Sequence, residues 1–196
     1  MPLSISKEEL RSLPLLQFTG KIVIISTEEA LGSAVDELQN EKIIGFDTEA
    51  RPSFRRGEYH PTSLIQIATA DKCFLIRALS TGLTNPLIDL FENKSIQKSG
   101  IALHDDLKDL KRFRDFKPAG FVDLNKIATE MGSDNIGAKN LSGIFLKGRI
   151  SKNQQTSNWE NPVLTEAQQI YAATDAWVCL KVYEEILRIR PEMNHK

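Results

Sequence analysis

The sequence predicts an α/β fold, a mixed central sheet flanked by helices, and three observations carry that prediction. Short apolar runs rich in Ile, Val and Phe, bounded by polar or turn-forming residues, have the length and composition of strands. Longer stretches repeat apolar residues at helical spacing, the longest running from Thr165 to about Arg190. Along the chain, strands come first and then strands and helices alternate, which suits a mixed sheet with helices packed on it. At 196 residues, with 41% apolar and 26% charged side chains, the chain has the size and balance of one globular domain with a real core.

In order, a short helical pattern over 7–13 stops near Pro14, whose ring cannot continue a helix. Residues 21–26 are β-branched and apolar and read as a strand. Thr27, followed by Glu28 and Glu29, supplies a cap and an acidic first turn for a helix to about Gln39. Residues 43–47 form a buried-type strand, and 51–62, with Pro52, Gly57 and Pro61, a loop. The strands 63–70 and 73–76 flank Asp71-Lys72 as the arms of a hairpin. A helix over 84–92 tolerates Pro86 in its first turn. A strand over 97–103 and a helix over 105–115 follow, then a short strand at Phe121-Val122 and a helix over 123–131 that Gly132 ends. A short helix over 140–147 and a polar loop over 148–162 precede the last helix, which Thr165 starts.

Bulk properties narrow the function classes. No stretch approaches the roughly 20 apolar residues of a membrane-spanning helix, and the first nine residues lack the basic and apolar regions of a secretory signal. Cys73 and Cys179 both lie in apolar patterns, as buried free thiols of a cytoplasmic protein would. The net charge of −1 lacks the basic signature common in nucleic-acid-binding domains. Local charge says more. Arg51, Arg55 and Arg56 follow one acidic motif, Lys108, Lys111, Arg112 and Arg114 follow a second, and Lys147, Arg149 and Lys152 precede a third. Such clusters serve as solvated faces in many proteins, and beside acidic motifs they also suit phosphate contact.

Those acidic motifs are the informative part. Ile43-Ile44-Gly45-Phe46-Asp47-Thr48-Glu49 is a core strand ending in two carboxylates, which alternation puts on one face. Gly100-Ile101-Ala102-Leu103-His104-Asp105-Asp106 is a second apolar run ending in acid, where either aspartate also suits a helix cap. In the last helix, Asp175 interrupts an apolar stripe formed by Ala172, Val178, Cys179 and Val182, with Tyr171 one turn earlier on the same face. A carboxylate on such a stripe must be paired, metal-bound or protonated. A core tyrosine and a salt-bridged aspartate would explain that helix equally well when it is taken alone.

Together, Phe46-Asp47-Thr48-Glu49, Ser63-Leu64-Ile65-Gln66, residues 100–107, Ser157-Asn158-Trp159 with Leu164-Thr165-Glu166-Ala167-Gln168, and Tyr171-Ala172-Ala173-Thr174-Asp175-Ala176 resemble the DEDDy class of 3′-5′ exonucleases, the ribonuclease D and Werner-helicase exonuclease type. The similarity runs from about Lys42 to Ile189. It implies a ribonuclease H-like fold with a mixed five-stranded sheet, its early strands antiparallel. The strand and helix of 21–39 would be an N-terminal addition, so that a single domain of 1–196 comprises an extension, 1–41, packed on a catalytic core, 42–190. Unlike ribonuclease D, the sequence ends soon after the last helix, so no appended helical nucleic-acid-binding domains are expected.

The resemblance further implies metal ligands at Asp47, Glu49, Asp106 and Asp175, with Tyr171 orienting the attacking water. Asp106 is taken over Asp105 from its place relative to the Leu-Lys pattern that follows. Hydrolysis of the terminal phosphodiester at a 3′ end of DNA or RNA, releasing nucleoside monophosphates, would use two divalent cations, Mg²⁺ or Mn²⁺, in keeping with hard oxygen ligands. A phenol with an ordinary pKa near 10 would serve position and not bulk basicity. Arg55, Arg56 and Lys152 are candidate phosphate contacts. Trp159, with Phe54 and Tyr59, is a candidate for stacking on terminal bases of a single-stranded or otherwise 3′-ended substrate. The competing expectation is a catalytically silent nucleic-acid-binding module on the same fold, which a missing carboxylate would favour; none is missing. A different metal phosphohydrolase acting on nucleotides is disfavoured by the lack of a glycine-rich phosphate loop.

Overall fold

In the computed structural model, which describes residues 3–55 and 57–190, the apolar runs become six strands: β1 (Lys21–Ile25), β2 (Ile43–Ala50), β3 (Thr62–Ala68), β4 (Lys72–Arg77), β5 (Gln97–Gly100) and β6 (Phe121–Asp123). The helices are α1 (Lys7–Ser12), α2 (Glu28–Leu38), α3 (Ala78–Thr81), α4 (Asn85–Glu92), α5 (Leu103–Phe113), α6 (Leu124–Glu130), α7 (Ala138–Leu146) and α8 (Glu166–Ile189). One sheet takes all six strands in the order β1-β4-β3-β2-β5-β6. β3 runs antiparallel to both its neighbours, β2 and β4, while β5 and β6 continue parallel from β2. The N-terminal strand β1 adds a sixth member, parallel to β4 at the sheet edge with Ile22 opposite Cys73.

Alternation along the strands divides the core. Phe46, Ile65, Ile67, Phe74 and Ile76 pack with Leu31, Leu87 and Leu110 from α2, α4 and α5. On the opposite face Leu64, Ala68, Cys73 and Leu75 meet Ala172, Ala173 and Ala176 of α8. The long last helix therefore covers one face of the sheet while the shorter helices α2, α4 and α5 cover the other.

Several bounds shift by a residue or two, and three larger departures from the sequence reading each have a local reason. β2 continues to Ala50, because Glu49 and Ala50 pair with Leu64 and Thr62 of β3 across a bulge. β5 stops at Gly100 and does not reach residue 103. Ala102 turns the backbone into the left-handed region at φ 57°, and the apolar Leu103 enters the core from the first turn of α5. A single turn, α3, also follows β4 where no helix was expected. The final helix starts as anticipated: the Thr165 hydroxyl accepts the Gln168 N–H, and the Gln168 side chain accepts that of Thr165.

Candidate metal centre

Close approach of β2 and α8 builds the site. A Cβ added at Gly45 would lie 1.9 Å from the Ala176 carbonyl oxygen, so only glycine lets the helix backbone come this near the strand. Two and four residues beyond Gly45, on the same face, come Asp47 and Glu49, and α8 supplies Asp175 from the residue before Ala176. One carboxylate oxygen from each of Asp47, Glu49 and Asp175 falls within 4.8 Å of the others. Among the described residues no other trio of His, Cys, Asp or Glu converges this closely.

Asp106 arrives differently. It sits in the first turn of α5, and its Oδ1 accepts a hydrogen bond from the hydroxyl of Thr48, the residue between Asp47 and Glu49. It stands outside the tight trio, yet its charge raises the pKa of both Asp47 and Glu49. Neither Asp105 nor Asp106 caps the helix. The capping position is Ala102, and the carboxylate of Asp123 reaches across to accept the N–H groups of Ala102 (3.3 Å) and Leu103 (3.1 Å) while also capping α6 through Asn125 N–H (2.9 Å). Asp105 is exposed and Asp106 half-buried.

Electrostatically the cluster is strained as it stands. Burial, then the charges of Asp175 and Asp106, push Asp47 well above the usual carboxylate range. Burial and the neighbouring acids lift Glu49 to about 10, and burial lifts Asp175 to about 6 against the lowering pull of a hydrogen bond from Tyr171. Asp106 is raised by burial and lowered by the Thr48 hydroxyl. Carboxylates so arranged either keep protons or gather cations. Asp175 Oδ1 is buried with no hydrogen-bond partner, and every donor in the group is a hard oxygen. These residues fit divalent cations of the oxygen-preferring kind.

Tyr171 lies one turn before Asp175 on α8, its ring 5.9 Å from that of Trp159. Burial and the nearby Asp175 push its phenol further up, so it stays protonated at neutral pH and offers a hydroxyl, not a base. A cavity of 390 Å³ opens beside it, lined by Tyr171, Asp175, Ser151 and Gln154 and walled on one side by Leu15 and Gln17 of the N-terminal segment. That wall, like Gly45, Thr48 and Asp123, was not singled out as functional from the sequence. A strand glycine two residues before the acidic pair was the one visible signal.

The candidate substrate contacts divide. Lys152 is exposed, and its charge lowers Asp47, Glu49 and Asp175. Arg55 is exposed on the loop after β2, whereas Arg56 lies outside the described residues. Trp159 corrects the expectation of base stacking: it is 0% exposed, packed beneath Tyr171, and offers no face to a base. Its segment is tied down by Gln168 Nε2 to Asn158 O and by Arg77 to the carbonyls of Asn161 and Pro162. Phe54 keeps an open ring at 80% exposure, and Tyr59 carries the Arg112 guanidinium 4.4 Å over its face. His60 is structural. It contacts Glu58 (3.3 Å) and Glu160 (3.4 Å), and with the Arg51–Glu160 pair it clasps the two loops beside the site.

With this geometry in view, a 3′-5′ exonuclease family model matches residues 22–189, taking in β1 and α2 as well as every carboxylate above. The chain belongs to the 3′-5′ exonuclease family. Among its relatives, the mouse bifunctional 3′-5′ exonuclease/ATP-dependent helicase WRN is 33% identical over 89% of this chain and 13% of its own length. A ribonuclease D of Gluconacetobacter diazotrophicus is 30% identical over 84% of this chain and 42% of its own. The chain thus spans less than half of either relative. The crystal structure of the Aedes aegypti Nibbler EXO domain superposes with a TM-score of 0.78 at 22% identity, over 88% of this chain and 89% of that domain, a likeness of fold. No described helix is long and apolar enough to cross a membrane.

Proposed function

We propose that the protein is a two-metal 3′-5′ exonuclease that removes nucleoside monophosphates from the 3′ end of DNA or RNA. The observation that carries this reading is the convergence of Asp47, Glu49 and Asp175 within 4.8 Å, with Tyr171 one turn before the last of them on α8. Asp47, Glu49 and Asp175 would hold one cation, and Asp47 with Asp106 a second, both Mg²⁺ or Mn²⁺. When bound, such ions supply positive charge at the scissile phosphate that offsets charge developing on it.

The chain's own groups do the rest. Tyr171, held upright on Trp159, keeps its proton and aligns the attacking water through its hydroxyl. Lys152 brings a positive charge suited to a phosphate oxygen, and Arg55 and Arg56, which follow the first acidic motif in sequence, would contact further phosphates. The cavity beside Tyr171 and Asp175 is of a size that takes part of a terminal nucleotide. The substrate class is single-stranded or 3′-ended nucleic acid, in keeping with relatives named as a ribonuclease and an exonuclease. Residues 1–41 act as part of the same unit, pinned to the 42–190 core by Phe18 N–H to Thr174 and by Leu16 N–H to Arg149 O. Buried Cys73 and Cys179, both free thiols, suit a cytoplasmic protein.

Digestion of 5′-labelled single-stranded DNA and RNA of matched sequence, with Mg²⁺, Mn²⁺ or EDTA, tests the reading. A ladder shortening from the 3′ end, dependent on metal and absent in Asp47→Ala, is the expected result, and the better-cut strand names the substrate. Tight strand binding without cleavage under either ion would replace the enzyme with a silent binding module.

A further inference from the structure

Thr48 lies between two carboxylates of the cluster in sequence, but alternation turns its side chain to the opposite face of β2, the face that α5 covers. There its hydroxyl donates to Asp106 Oδ1. The bond works against a repulsion: the charges of Asp106, Asp47 and Glu49 oppose one another, and the half-buried Asp106 carboxylate on the first turn of α5 would otherwise rotate toward water to escape. On α8, by contrast, Asp175 is buried.

We propose that Thr48 is a positioning residue for the second cation. Its hydroxyl takes one oxygen of Asp106 and fixes the carboxylate against the end of β2, leaving the other oxygen to a divalent ion beside Asp47. The proposal rests on the two-cation reading above. Its physical content is preorganisation: the fourth ligand stands in place before metal arrives, so ordering it is not deducted from the binding energy of the weaker ion.

Calorimetric titration of the nucleic-acid-free protein with Mn²⁺, alongside unfolding midpoints in EDTA, separates the possibilities. Thr48→Val keeps the shape and removes the donor, and Thr48→Ser keeps the donor. In the wild type two Mn²⁺ ions are expected. Thr48→Val should weaken the weaker one by about 10- to 100-fold, leave the tighter one within about twofold, and leave the EDTA midpoint in place. Thr48→Ser should restore both sites, and in an Asp106→Asn background Thr48→Val should change nothing further. Wild-type affinities in Thr48→Val, equal damage from Ser and Val, or a Val effect that persists without the Asp106 charge would each overturn the role. So would an EDTA midpoint lowered by Val alone, which would make the hydroxyl a stability element. A wild type that takes up fewer than two Mn²⁺ ions fails earlier, at the two-cation reading itself.

Discussion

The two halves of the acidic cluster are held by different physics. On the α8 side, Asp47, Glu49 and Asp175 are fixed by backbone apposition: Gly45 against the Ala176 carbonyl, with Ala172 and Ala173 extending the narrow interface. On the α5 side, Asp106 is fixed by hydrogen bonds, from Thr48 to its carboxylate and from the α5 N-terminus to Asp123. Packing of small residues leaves few alternatives and tolerates strong repulsion. A hydrogen-bonded arm is adjustable, because it is held by a few individually weak contacts. The tight half therefore concentrates charge, and the adjustable half adds a fourth carboxylate to it.

Removing charge from the tight half should have the largest effect. Under the two-cation proposal, Asp175→Asn is expected to lower cleavage by about 10³-fold, since a carboxylate that holds an ion would support several kcal/mol of transition-state stabilisation. It should at the same time stabilise the metal-free fold. Burial raises Asp175 from 3.8 to about 6, so the folded protein keeps a proton that the unfolded chain has released. In EDTA the wild-type unfolding midpoint should therefore fall as pH rises through that window, and Glu49, at about 10, extends the fall to higher pH. Asparagine takes no part in that titration, so a flatter midpoint-against-pH profile is expected, and an unchanged slope would refute the assignment.

Gly45→Ala tests apposition directly. The new methyl would sit 1.9 Å from a backbone carbonyl, which cannot swing aside as a side chain would. A loss of about 2–3 kcal/mol in denaturant unfolding is expected, with weaker binding of the tighter Mn²⁺ as β2 and α8 move apart. Stability loss with intact metal affinity would show that the trio does not depend on this contact.

The same contrast explains what was readable in the sequence. The α8 half announced itself, because Asp-x-Glu after a run of isoleucine and phenylalanine, and an aspartate inside an apolar helical stripe, both break the pattern around them. The α5 half depends on a partner some 20 residues away: Asp123 reads locally as the cap of its own helix, and it also caps another. Ile101-Ala102-Leu103 reads as strand because its apolar side chains fit either element, and only the left-handed turn at Ala102 decides. Trp159 misled for a related reason. An aromatic in a polar loop suggests exposure, whereas Gln168 and Arg77 anchor the loop from below and bury it.

Asp123→Ala should be a smaller disturbance confined to the adjustable half. Two helix N-termini lose a cap, and about 2 kcal/mol of stability is expected to go with them. The weaker Mn²⁺ should loosen while the tighter one holds. Equal weakening of both ions would erase the distinction between the halves.

Ala102→Gly sharpens the comparison with the mildest effect. At φ 57° and ψ 40° an alanine Cβ crowds its own carbonyl, a strain of about 1–2 kcal/mol. Glycine relieves it but adds freedom to the unfolded chain, which returns roughly 0.5–1 kcal/mol. Ala102 is exposed, so no core contact is lost. A net gain of about 0.5 kcal/mol in denaturant unfolding is expected, with cleavage unchanged, since Asp123 and Thr48 still fix where α5 begins and where Asp106 points. If cleavage fell while stability rose, the rigidity of the turn itself, and not the hydrogen bonds on either side of it, would be what holds the fourth carboxylate.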